Sequence, residues 1–182
     1  MTADLGTIVD AHTVRFERLL PGPIGRLWDY LTRPELLATW LAEAEIEPRV
    51  GGQVELRFND DVDDCRPPGD EPETVGTITR WDPPRALAYS WADSEDTPEG
   101  HGSGPDSEVT FELEERGADV LLVLTHRRLA TPAMPGFGAG WHSHLDALAA
   151  GLRQAAPVDR AAVYRALLPR YRDLAAAVGR TA

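Results

Sequence analysis

The chain has 182 residues, enough for one domain with an appendage, and 42% of them are hydrophobic, enough for a sizeable core. A formal net charge of -12 argues against nucleic acid or an anionic membrane as partner, since phosphate binding needs a basic face. All 18 basic residues are arginine, which removes Schiff-base chemistry and the phosphate-loop lysine.

No run approaches the roughly 18 apolar residues of a membrane span. The opening segment MTADLGTIVDAHTV has no basic region followed by an apolar one, so no signal peptide and a cytoplasmic location are expected. The one cysteine, Cys65, has no partner for an intramolecular disulfide. It stands among acids, which raise a thiol's pKa and make it a poorer nucleophile.

Residues 12–20 alternate Val14, Phe16, Arg18 and Leu20 against Arg15 and Glu17, the pattern of a half-buried strand. Pro23 then serves as a first-turn proline, and Ile24, Leu27, Trp28 and Leu31 make one apolar helix face. Pro34 stops that helix, and residues 34–41 predict a second short one. From Gly51 the period changes to two, with Val54, Leu56 and Phe58 on one face of a strand.

Residues 73–91 predict two strands turned at Asp82-Pro83-Pro84, with Leu87, Tyr89 and Trp91 sharing a face. Residues 93–107 have a loop composition. Residues 108–129 predict a hairpin turned at Arg116-Gly117-Ala118-Asp119, whose second strand is apolar from Val120 to Leu124 and hence central.

Residues 130–140 are read as a linker. A helix is expected from there, with Trp141, Leu145, Leu148 and Leu152 in one stripe. A tail helix carries Tyr164, Leu167, Leu168, Tyr171, Leu174 and Val178, with Pro169 expected to kink or split it. Strands grouped together with helices at the ends indicate α+β, as a curved antiparallel sheet wrapped around a long C-terminal helix, with two short helices after the first strand.

Five phrases in this order resemble the SRPBCC superfamily (START-like or Bet v 1-like), in the branch named for the C-terminal domain of the activator of Hsp90 ATPase. They are PIGRLWDYLTRPELLATWL, GGQVELRF, VGTITRWDPPRALAYSW, SEVTFELEERGADVLLVLTH and GWHSHLDALAAGL. The resemblance spans roughly residues 12–153 and divides the chain into a helix-grip domain at 1–155 and a helical extension at 156–182. It implies a cavity between sheet and helix, and little about activity, because the family spans ligand carriers, cyclases, hydrolases and co-chaperones.

His142 and His144 are two residues apart, about 200° around a helix axis, and so unable to chelate one ion. His142 can pair with Asp146 at i+4, whereas His144 lies at the edge of the apolar stripe and can reach the cavity. His126 ends the apolar strand on the face of Val120, Leu122 and Leu124. The reading favoured for it is a strand-end histidine in solvent or bonded to a neighbouring loop; the alternative is a polar group inside an apolar pocket.

The five tryptophans lie on different elements and are expected to converge. Trp40, Phe58, Trp91, His126, Trp141 and His144 are the candidate ligand-binding residues, since apolar pockets are lined this way. The acidic run 59–65 lacks the glycine and distal Glu of a calcium loop. No GxSxG or glycine-rich phosphate loop is present. No metal and no cofactor are expected.

The leading expectation is binding of a small hydrophobic or aromatic molecule. The alternatives are a polyketide cyclase/aromatase- or hydrolase-like enzyme using the same cavity, with His126, His144 or an Asp as acid/base, and a co-chaperone or regulatory interaction module. The tail stripe must pack on its own domain or on a second copy, which makes a homodimer through the extension a further expectation.

Overall fold

In the computed structural model, which describes residues 5–58, 74–93, 102–104 and 106–178, every segment with period-two alternation is a strand of one antiparallel sheet. The strands are β1 (Thr7–Asp10), β2 (Thr13–Pro21), β3 (Glu43–Ile46), β4 (Gln53–Arg57), β5 (Thr74–Asp82), β6 (Ala86–Ser90), β7 (Ala92–Asp93), β8 (Glu108–Arg116) and β9 (Asp119–Arg127). They pair in the order β1-β2-β9-β8-β6-β5-β4-β3, with β7 added to β5. The helices are α1 (Ile24–Thr32), α2 (Pro34–Leu37), α3 (Met134–Leu152) and α4 (Arg160–Val178). This is the expected α+β helix-grip arrangement, a sheet holding a long helix.

Alternation sets which side chains face that helix. In β2, Val14, Phe16, Arg18 and Leu20 are buried while Arg15, Glu17 and Leu19 are exposed. In β9, Val120, Leu122, Leu124 and His126 share the buried face, and Leu121 and Val123 on the other face are half-buried. β9 lies between β2 and β8, as its continuous apolar run implies. The α3 stripe of Trp141, Leu145, Leu148 and Leu152 is buried along its length. Each of these side chains contributes roughly 1.5–3 kcal/mol by leaving water. The β8–β9 turn is the two-residue loop Gly117-Ala118, and Gly117 takes φ 69°, the region the first position of such a hairpin turn demands.

Five local expectations are corrected. β1, β3 and β7 appear where no strand was expected, so the short helices follow the second strand. Each of the three is two to four residues long, too short to show a period. α2 ends at Leu37, because Thr39 and Trp40 donate to carbonyls only three residues back. α3 begins at Met134, so the glycine-rich segment 134–140 is helix, not linker. α4 continues through Pro169, which is exposed. The five tryptophans do not converge: Trp28 pairs with Trp81, with ring centroids 5.2 Å apart, at a distance from the Trp91–Trp141 pair.

Tertiary packing explains the glycines of α3. A Cβ on Gly138 would lie 2.5 Å from Tyr171 Cδ1. The intrinsic cost of glycine in a helix is therefore offset by close approach of α4. The tail stripe packs on this same chain: Tyr171 is buried, and Tyr164, Leu167, Leu168 and Leu174 rest against the core. Among the described residues no helix is long and apolar enough to cross a membrane.

Candidate functional site

At one end of the sheet, β4, β6, β8, β9 and α3 bring aromatic rings together. Trp91 follows β6 and is the hub, with centroids 6.0 Å from Phe58, 5.4 Å from His126, 6.2 Å from Phe137 and 5.3 Å from Trp141. Tyr89 and Phe111 extend the stack beneath it. Burial with no nearby cation pushes the Tyr89 hydroxyl pKa well up. Trp91, Trp141 and His126 are buried, whereas Phe58, Phe137 and His144 are half-buried and form the accessible rim.

Of the six candidate residues, Phe58, Trp91, His126, Trp141 and His144 are thus one connected cluster. Trp40 joins it through its backbone. Its indole Nε1 donates to the Tyr30 carbonyl at 2.8 Å, pinning the turn after α2 to α1, while its own carbonyl points at His144.

His126 is fully buried and bonded to a neighbouring loop, so solvent has no part in its environment. Its tautomer follows from its partners. Indole N–H can only donate, and Trp141 Nε1 lies 3.0 Å from His126 Nδ1. Nδ1 is therefore the acceptor and Nε2 carries the ring proton. Nε2–H donates to Ser107 Oγ at 3.3 Å, and Ser107 Oγ donates to the Trp91 carbonyl at 2.7 Å.

Ser103 Oγ reaches the same carbonyl at 3.0 Å and Asp93 Oδ2 at 2.6 Å. Burial lowers the His126 pKa to about 3. The Ser107–His126 pair resembles a nucleophile and its base, but the proton direction forbids that role: Nε2 donates to the hydroxyl and has no lone pair to receive its proton. The chain of bonds ties Ser103 and Ser107 to Trp91, β9 and α3.

His144 differs. Its Nδ1 lies 2.8 Å from the Trp40 carbonyl and 3.1 Å from Arg160 Nη1. Arg160 Nη1 donates to the same carbonyl at 3.1 Å and to that of Leu41 at 3.2 Å. Burial lowers the His144 pKa to about 4, with the Trp40 carbonyl opposing the shift and the Arg160 charge adding to it. The ring is neutral at pH 7.

His142 faces the other way. Tyr171 OH accepts from the Gly6 N–H at 2.8 Å and hydrogen-bonds with His142 Nδ1 at 3.0 Å. His142 Nε2 stands 3.7 Å from Asp146 Oδ2, the i+4 partner expected for it. Burial, assisted by Arg18 and Arg170, lowers the His142 pKa to about 4. Burial raises that of Asp146 and takes Tyr171 up to about 12.

The two α3 histidines thus serve separate surfaces. Among the described residues no three of His, Cys, Asp and Glu gather as a metal centre requires. Cys65 and the acidic run 59–65 lie outside the described residues.

Sequence reasoning missed Ser103, Ser107 and Arg160. The two serines sit in a glycine- and acid-rich loop with no periodicity, and Arg160 comes from the tail. Only the pairing of β6 with β8 and the packing of α4 on α3 bring them to the cluster.

Comparison with known proteins agrees with this architecture. The model of the Activator of Hsp90 ATPase homolog 1-like protein family matches residues 21–153. The solution structure of the protein encoded by gene BPP1335 from Bordetella parapertussis is 36% identical, with TM-score 0.71, covering 94% of this chain and 93% of that one. The crystal structure of CalU16 from Micromonospora echinospora is 23% identical, with TM-score 0.68 over 90% of this chain and 88% of that one. The Aha1 dimer from Colwellia psychrerythraea shares the fold at 19% identity and TM-score 0.58, over 77% of this chain and 95% of that one. No curated protein matches the chain. With a family model matched from the last residue of β2 to just past α3, and the helix-grip architecture beneath it, the chain belongs to the Activator of Hsp90 ATPase homolog 1-like family.

Proposed function

We propose that this protein binds a small hydrophobic or aromatic molecule between the sheet and α3. The observation that supports this is the aromatic cluster's half-buried rim of Phe58, Phe137 and His144, continuous with the buried Trp91 and Trp141. Apolar walls with a few placed polar groups are the usual composition of a small-molecule site. Trp40, Phe58, Trp91, His126, Trp141 and His144 are the residues we assign to it. The first two anchor and edge the site, the middle three form its floor, and His144 is its polar group.

The apolar stripe of α4 packs against its own chain, which weakens the case for a homodimer or a protein-interaction module built on that stripe. The expected cytoplasmic setting is compatible with either reading.

Native mass spectrometry of the purified protein, before and after denaturation, tests the proposal. A small molecule released on denaturation, lost in a Phe58→Ala variant, supports it. A protein with no bound molecule that also fails to quench tryptophan fluorescence with any added aromatic compound overturns it.

A further inference from the structure

The first turn of α4 reaches the aromatic rim through Arg160. Asp159 caps that helix, its Oδ1 accepting from the Ala162 N–H at 2.9 Å, and so fixes the direction in which α4 starts. A cation in the first turn of a helix opposes the helix dipole, so α4 itself gains nothing from an arginine there. The contacts of the side chain account for it. Nη1 donates to the carbonyls of Trp40 and Leu41, at 3.1 and 3.2 Å, and lies 3.1 Å from His144 Nδ1. Those carbonyls belong to the turn after α2, where the Trp40 and Leu41 side chains are buried. The His144 ring stands between Phe58 and Trp141, with centroids 6.0 and 6.2 Å away. One nitrogen of the extension therefore ties the turn after α2 to the histidine of the rim.

α4 is also held to the domain without this contact. Tyr171, about three turns further along, is the latch. It packs on Gly138, accepts from the Gly6 N–H and hydrogen-bonds with His142. A hydrogen bond from a charged donor holds its acceptor more firmly than a neutral one. A rim fixed before the ligand arrives loses less freedom on binding. We infer that Arg160 is a positioning residue of the ligand site, holding the Trp40–Leu41 turn and the His144 ring in the arrangement that receives the ligand, and that the α4 extension is thereby part of the site. The inference rests on the binding reading above and adds to it the residue that pre-forms the rim.

Calorimetric titration of the full chain with 2-naphthol and with indole, alongside thermal melting, tests it. Arg160→Ala is expected to weaken both probes about tenfold while the protein stays folded on the Tyr171 latch. Arg160→Lys is expected to recover most of that loss, since a single nitrogen makes all three contacts and an ammonium can replace it. Tyr171→Phe should show the reverse: a lower melting temperature and unchanged affinity. Where Arg160→Ala melts below the titration temperature, Arg160→Gln replaces it with the same expectation.

Wild-type affinity in the Arg160→Ala or Arg160→Gln variant overturns the inference, because Arg160 then only fastens the tail. An equal loss of affinity in Tyr171→Phe also overturns it, because loosening α4 anywhere would then suffice. So does a loss that Arg160→Lys leaves unrepaired. In these cases the binding reading stands. If neither probe binds the wild type, the binding reading itself fails and the inference with it.

Discussion

His142 and His144 are neighbours on α3, yet they belong to two surfaces with opposite chemistry. His142 looks toward the tail and the first strand, where it hydrogen-bonds with Tyr171, Gly6 donates to Tyr171, and Asp146 stands at 3.7 Å. Each polar atom there is spent holding α4 and β1 against α3. His144 looks toward the aromatic rim, between Phe58 and Trp141, with its Nδ1 held by the Trp40 carbonyl and Arg160. Burial lowers both pKa values to about 4, so electrostatics alone does not separate them. What separates them is what each ring faces: the tail and the first strand for His142, the aromatic cluster for His144.

The largest expected effect breaks the aromatic side of this comparison. Trp141→Ala removes a buried ring that contacts Trp91, Phe111, His126 and His144, and strips His126 Nδ1 of its donor. It should cost about 3–5 kcal/mol by denaturant unfolding.

Acid comes next and acts on both sides. His126, His142 and His144 have folded pKa values of about 3, 4 and 4, against 6.5 for a free histidine. The unfolded chain therefore binds more protons just below pH 6.5. The histidine contribution is level above pH 6.5, falls as pH drops from there toward about 4, and flattens near the folded pKa values. Unfolding free energies measured from pH 7 to pH 4.5 should decline, and His126→Gln, which keeps a donor toward Ser107, should make the decline shallower. An unchanged slope in that variant would show that His126 is protonated in the folded protein.

The smallest effect sharpens the latch side. Tyr171→Phe keeps the ring that packs on Gly138 but leaves the Gly6 N–H and His142 Nδ1 without their partner. A loss of about 1–3 kcal/mol is expected, with faster amide exchange at Gly6 and no change in aromatic-probe affinity. Weaker probe binding in this variant would show that the two surfaces of α3 are coupled.

Much of the cluster was legible before any coordinates. Trp91 follows Leu87 and Tyr89 on one strand face, and His126 follows Val120, Leu122 and Leu124 on another; alternation alone aims them at the same layer. Trp141 and His144 were placed on one helix by the stripe that follows them. The α3 N-terminus was not legible. Gly136, Gly138 and Gly140 look like a linker until Tyr171 is seen against Gly138. Pro169 misled in the opposite direction, because α4 tolerates it on its exposed side.

By itself the sequence determined the periodicities: which strands are half-buried, which helix has one apolar stripe, and hence a sheet gripping a helix. These follow from bond geometry and the hydrophobic effect acting along short stretches, so they need no knowledge of distant residues. Only the tertiary structure decided the proton directions. Whether His126 is a base or a donor depends on Trp141 and Ser107, and how His144 is held depends on Trp40 and Arg160. Hydrogen bonds act over about 3 Å. Residues far apart along the chain come that close only when the whole fold is assembled.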